Sequence, residues 1–150
     1  MKKVFMFFLA GMFLLSACAP KEGIEVSNVW ARTSTQGMNS AVYLVIQNHN
    51  AEADELTGAA SNIADAVEVH ESKMENGVMM MNHVDSVTLE PSGKVEFMPG
   101  GYHIMLIGLK QDLNTGDEFE LTLQFKNSPD MVLKVMVKEP DGANMNGMSH

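Results

Sequence analysis

From Ile24 onward the chain breaks into short runs rich in Val, Ile, Leu, Thr and Phe, and no long stretch repeats with the 3.6-residue period of a helix. The pattern predicts strands at Ile24 to Arg32, Ser40 to Gln47, Leu56 to Ala60, Ala66 to Glu71 and Val78 to Val84. It continues with Ser86 to Leu89, Lys94 to Phe97, His103 to Ile107, Phe119 to Phe125 and Met131 to Lys138. Phe119, Leu121, Leu123 and Phe125 alternate with Glu120, Thr122 and Gln124, so that strand should bury one face and wet the other. Between the runs stand Asn76-Gly77, Pro91-Ser92-Gly93, Pro99-Gly100-Gly101, Asn114-Thr115-Gly116-Asp117 and Asn127-Ser128-Pro129-Asp130, which supply the positive or fixed φ that reversals need. The fold class expected is all-β, a single-domain sandwich or barrel.

The two ends break this pattern. Lys2 and Lys3 precede an apolar run from Val4 to Leu15, too short for the roughly 20 residues of a spanning helix, so residues 1–17 read as an export signal. Leu15, Ser16, Ala17 and Cys18 resemble a bacterial lipobox, which implies cleavage before Cys18 and lipidation of its thiol. Stable anchoring then follows from more than one acyl chain. The expected organisation is a signal over 1–17, a lipid-anchored linker over 18–23, a β-domain over 24–139 and a flexible tail over 140–150. The protein is expected outside the cytoplasm, in a periplasm or on the outer cell surface, held to a membrane.

Composition excludes several chemistries. Lys2 and Lys3 leave with the signal, so eight basic residues remain against nineteen acidic ones, a formal charge of −11 that argues against a nucleic-acid partner. Cys18 is the single cysteine, which removes internal disulfides, thiolate zinc sites and a blue-copper centre from the β-domain. No nucleophile and base arrangement, phosphate loop or paired carboxylates stand out, so no catalytic residue is assigned and an enzyme is not expected.

Fourteen methionines could fill core gaps, and most are read that way or as surface residues. Position singles out two of them. His70 is followed after ten residues by Met81, after twenty-one more by His103, and after one more by Met105. Residues two apart on a strand share a face, roughly 6.6 Å apart, so His103 and Met105 can reach one ion while Ile104 enters the core. If Asn76-Gly77 makes a two-residue type I′ turn, Glu75 pairs with Val78, Ser72 faces Met81 and His70 faces His83. His70 and Met81 are then diagonal neighbours on one face of the hairpin. Two imidazoles with two thioethers form a soft donor set that favours Cu(I) over Mg, Ca or Zn.

This spacing resembles the signature of the periplasmic copper chaperones called PCuAC. The resemblance extends to Val29-Trp30-Ala31-Arg32, His70-Glu71, Gly77-Val78-Met79, Pro99 to Leu106 and Gly108-Leu109, and spans roughly Ile24 to Glu139. It implies a cupredoxin-like Greek-key β-barrel that binds Cu(I) and delivers it to an acceptor, notably the copper centre of cytochrome c oxidase. The metal ligands expected are His70, Met81, His103 and Met105, and Cys18 is the lipidation site.

Other residues are weaker candidates. His83, opposite His70, is read as a plain exposed histidine, with an auxiliary metal role as the alternative; His49 sits in a turn, and Trp30 is assigned to the core. The tail carries Met145, Met148 and His150, which could recruit copper weakly, including Cu(II), although a plain unstructured end is the simpler reading. A copper-buffering lipoprotein without a dedicated acceptor and a metal-free adhesive sandwich are the rival functional classes.

Overall fold

A computed structural model describes residues 22–139, so Cys18, Met145, Met148 and His150 lie outside the described residues. The described chain contains ten strands and no helix. They are β1 Ile24–Arg32, β2 Ser40–Asn48, β3 Asp54–Ala60, β4 Ala64–Glu75 and β5 Val78–His83. There follow β6 Val87–Leu89, β7 Lys94–Phe97, β8 Tyr102–Leu109, β9 Glu118–Phe125 and β10 Met131–Lys138. Every predicted strand is present; β4 differs most, running four residues past Glu71 because it keeps pairing with β5 up to the turn.

The strands form one sheet in the order β5-β4-β8-β7-β2-β1-β10-β9-β3-β6, with β8 also pairing with β2. The sheet wraps around a single buried cluster that draws Val42, Leu44 and Ile46 from β2, Ile104 and Leu106 from β8, Leu121 and Leu123 from β9, and Val135 and Val137 from β10. Burial of each such aliphatic side chain contributes about 1.5–3 kcal/mol. β9 alternates as expected, with Phe119, Leu121, Leu123 and Phe125 all buried.

Asp54 ties the start of β3 to the β9–β10 turn. Its carboxylate accepts the backbone N–H groups of Glu55 (2.7 Å), Asn127 (2.9 Å) and Ser128 (2.9 Å). Burial alone would raise this carboxyl, but those donors and the Ser128 hydroxyl outweigh it and hold its pKa below the usual value.

One expectation is corrected. Trp30 is not in the core: β1 shifts register between Ser27 and Trp30, with Asn28 at φ 54°. Beyond this bulge Ala31, opposite Val42, takes the core position, and Trp30 lies half-buried against Tyr43 with ring centroids 4.7 Å apart. The methionines fall on the surface or against the core, as read: Met38, Met74, Met79, Met80, Met81, Met98 and Met136 are exposed, and Met131 is partly buried against the core cluster.

Candidate metal centre

Two contacts between strands build the site. At the β4–β5 hairpin, Asn76 (φ 51°) and Gly77 (φ 79°) take the two left-handed positions of a type I′ turn. The register that results pairs Glu75 with Val78, Ser72 with Met81 and His70 with His83, as the turn chemistry predicts. On its other side β4 pairs antiparallel with β8, where His70 stands directly opposite His103 and Glu68 opposite Met105. Directly opposed residues share a face, so Glu68, His70, Ser72, Met81, His83, His103 and Met105 lie on the face of the sheet turned away from the core. Val69 and Ile104, one residue along, are buried in the core behind them.

Met81, His103 and Met105 line one cavity of about 450 Å³, together with Ser72, Tyr43 and Met79. His70 is outside that lining, yet its ring centroid lies 5.9 Å from that of His103. His103 is nearly fully buried, at 4% exposure, whereas Met81 is half exposed. A metal held here would have buried nitrogens beneath it and a thioether at the solvent side.

Hydrogen bonding fixes what each imidazole offers. His103 Nδ1 lies 3.1 Å from the Gly101 carbonyl oxygen, which can only accept, so Nδ1 carries the hydrogen and Nε2 keeps the lone pair. The Gly101 oxygen also accepts the Ser72 N–H at 3.0 Å, so the Pro99-Gly100-Gly101 turn is pinned to β4 as it orients the ring. His70 Nε2 lies 2.8 Å from the Glu68 carboxylate. This hydrogen bond from His70 holds the Glu68 carboxyl below its usual pKa, so the carboxylate is ionised and accepts, leaving the lone pair of His70 on Nδ1.

The two nitrogens left over, His70 Nδ1 and His103 Nε2, are both buried, and neither has a hydrogen-bond partner among the described residues. An unsatisfied buried polar group costs about 1–3 kcal/mol, so two on facing rings mark a place built for a ligand. Burial, with a smaller contribution from nearby His70, lowers the His103 pKa, and the bond to Gly101 opposes this only in part. The ring is therefore neutral and ready to coordinate near neutral pH. A carboxylate bonded to the far nitrogen of a ligating histidine is the usual means of fixing its tautomer and raising its basicity. Glu68 stands in that position for His70, and sequence reasoning missed it. A signal existed, since Glu68 and His70 are two apart on one strand and share a face.

His83 is 53% exposed at its side chain, in line with the plain reading, but it is not isolated: its Nδ1 lies 3.6 Å from Glu68 and its Nε2 3.4 Å from Asp85. His49 bonds Glu25 at 2.7 Å, away from the cavity, as its turn position suggested.

The class that fold and site define is an all-β domain carrying, on one face of its sheet, two imidazoles with unpartnered nitrogens beside two thioethers. Comparison with known proteins narrows it. Residues 24–137 match the family described as "Putative lipoprotein LpqE-like", and the chain belongs to that family. Lxx21020 of Leifsonia xyli subsp. xyli is 33% identical over 126 residues, covering 83% of this chain and 75% of that protein. Among solved structures, the copper-bound PCuAC domain from PmoF2 superposes with a TM-score of 0.66 at 24% identity, over 78% of this chain and 93% of that one. The solution structure of CuI-DR1885 from Deinococcus radiodurans gives 0.60 at 24% identity, over 76% and 78%. The fold is thus the cupredoxin-like fold of PCuAC domains.

Proposed function

We propose that this protein is an extracytoplasmic copper chaperone that binds Cu(I) through His70 Nδ1, His103 Nε2 and the sulfurs of Met81 and Met105. The observation that carries the reading is the pair of buried, unpartnered imidazole nitrogens on facing residues of β4 and β8, with two thioethers at the adjoining cavity. Two neutral nitrogens and two thioethers suit a soft monovalent ion. The copper-bound domains of like fold support the choice of copper.

Binding without turnover follows from the same arrangement. The nitrogens are fixed from behind by Glu68 and Gly101, while half-exposed Met81 leaves the ion reachable from solvent. An acceptor's ligands would displace the thioethers first, since these hold the ion from the open side and are not held by hydrogen bonds. The acceptor proposed is the copper subunit of cytochrome c oxidase, and the lipidated Cys18 would hold the donor at a membrane beside it.

Titration with Cu(I) against a competing chelator tests the site: one ion should bind tightly, and each of the His70, Met81, His103 and Met105 alanine variants should weaken it. Unchanged affinity in all four would refute the ligand set. Incubating the copper-loaded protein with the apo copper domain of the oxidase tests delivery, and absence of directional transfer would favour a buffering role.

A further inference from the structure

On the solvent side of His70, a second group of donors converges. Glu68 and His70 from β4 and His83 from β5 each offer one ligand atom, and these atoms all lie within 4.8 Å of one another. The Glu68 oxygen is 2.8 Å from His70 Nε2 and 3.6 Å from His83 Nδ1. A tetrahedral zinc ion, with ligands at about 2.0–2.1 Å, separates its ligand atoms by roughly 3.3 Å. The two Glu68 spacings bracket that value and the two histidine nitrogens lie within 4.8 Å of each other, so side-chain rotations would close the set on one ion.

The surroundings resemble a prepared site more than a chance grouping. Asp85, fully exposed, lies 3.4 Å from His83 Nε2, while His83 Nδ1 is the nitrogen that faces Glu68. His70 is 15% exposed at its side chain, so one ligand is anchored. Glu68 and His83 are 39% and 53% exposed, which leaves a fourth position open to water. The donors are two nitrogens and one carboxylate oxygen, with no sulfur, a set suited to divalent zinc or copper and unlike the thioether site behind it.

We propose that Glu68, His70 and His83 form a second metal site, selective for a divalent cation such as Zn(II) or Cu(II), which shares His70 with the inner site and excludes simultaneous filling of both. The exclusion follows from the imidazole itself. A neutral ring has one lone-pair nitrogen, so coordination through Nε2 puts the proton on Nδ1 and removes a ligand from the inner site. When Nε2–H is donated to Glu68, the lone pair returns to Nδ1. The outer site stands on its own geometry; only the exclusion rests on the Cu(I) reading above.

Equilibrium dialysis against Zn(II), which has no redox chemistry, tests both parts on the whole protein. Zinc affinity should fall at least tenfold in His83→Ala and in Glu68→Gln, and stay unchanged in the Met81→Ala, Met105→Ala double variant. Loading one equivalent of Cu(I) first should abolish the His83-dependent zinc binding. Zinc affinity insensitive to His83→Ala, or lost in the double methionine variant, would overturn the site. His83-dependent zinc binding that persists in Cu(I)-loaded protein would overturn the exclusion alone. Failure of the Cu(I) reading itself shows elsewhere, as Cu(I) affinity unaffected by the double methionine variant.

Discussion

His70 and His103 are direct cross-strand partners on β4 and β8, their ring centroids 5.9 Å apart, and each buries one nitrogen that no described residue satisfies. The opposite nitrogen of each ring is engaged, by Glu68 in one case and by the Gly101 carbonyl in the other. The two free lone pairs are therefore defined by their hydrogen-bonded neighbours, with no metal needed to set them.

Removing either buried candidate ligand, His70 or His103, should cost more than removing the exposed Met81. His103→Ala is expected to lower Cu(I) affinity more than about 100-fold, beyond the 10–100-fold typical of residues that merely support a ligand. Met81→Ala should have a smaller effect, because the half-exposed sulfur is replaceable by solvent or buffer ligands. Competition titrations on the two variants would give the order.

Glu68 acts through His70. Glu68→Gln keeps the shape but removes the charge that fixes the Nε2–H tautomer, so Cu(I) affinity should drop about 10–100-fold with thermal stability of the apo protein nearly unchanged. An affinity equal to wild type would mean that the tautomer is set by something other than this carboxylate.

The hairpin turn should matter to the site more than to the fold. β5 ends the sheet and pairs with β4, and it carries Met81 and His83. Gly77→Val forces a branched residue to φ 79°, which costs roughly 1–3 kcal/mol and loosens the register. Weaker Cu(I) binding together with a melting temperature lowered by several degrees is the expected outcome, read by chelator competition and calorimetry.

Asp54 governs acid stability. Its carboxyl has a depressed pKa in the folded chain, so the unfolded chain binds the extra proton. That stability is fully present above the unfolded value, about 3.9, and is lost as pH falls through the lower folded value. Asp54→Ala should cost about 1–3 kcal/mol at neutral pH, since three part-buried hydrogen bonds lose their charged acceptor. Urea midpoints between pH 7 and pH 2.5 should fall more steeply for wild type than for Asp54→Asn, and parallel curves would contradict this.

Much of the fold was legible along the chain, because strands with alternating polarity and turns with Asn-Gly or Pro-Gly chemistry are encoded within a few residues. The Asn76-Gly77 turn set the β4–β5 register correctly, and period-two spacing placed His103 and Met105 on one face. Trp30 was misplaced because a bulge at Asn28 reverses the inside and outside of β1, and nothing in Ser27-Asn28-Val29 announces it. Which methionines would be exposed was left open for a related reason: hydrophobicity reports that a side chain could be buried, while only the sheet's curvature decides which faces close on the core.

The sequence by itself determined the strand set and the hairpin, and it singled out His70, Met81, His103 and Met105 as candidate donors, since each step depends on local chirality, turn geometry or side-chain chemistry. Tertiary structure decided that His70 meets His103, that Glu68 and Gly101 choose their tautomers, and that Glu68 and His83 gather on the outer side of His70. Those relations depend on the pairing of β4 with β8, strands distant in sequence. The packing of the whole sheet around its core selects that register, and no local pattern carries it.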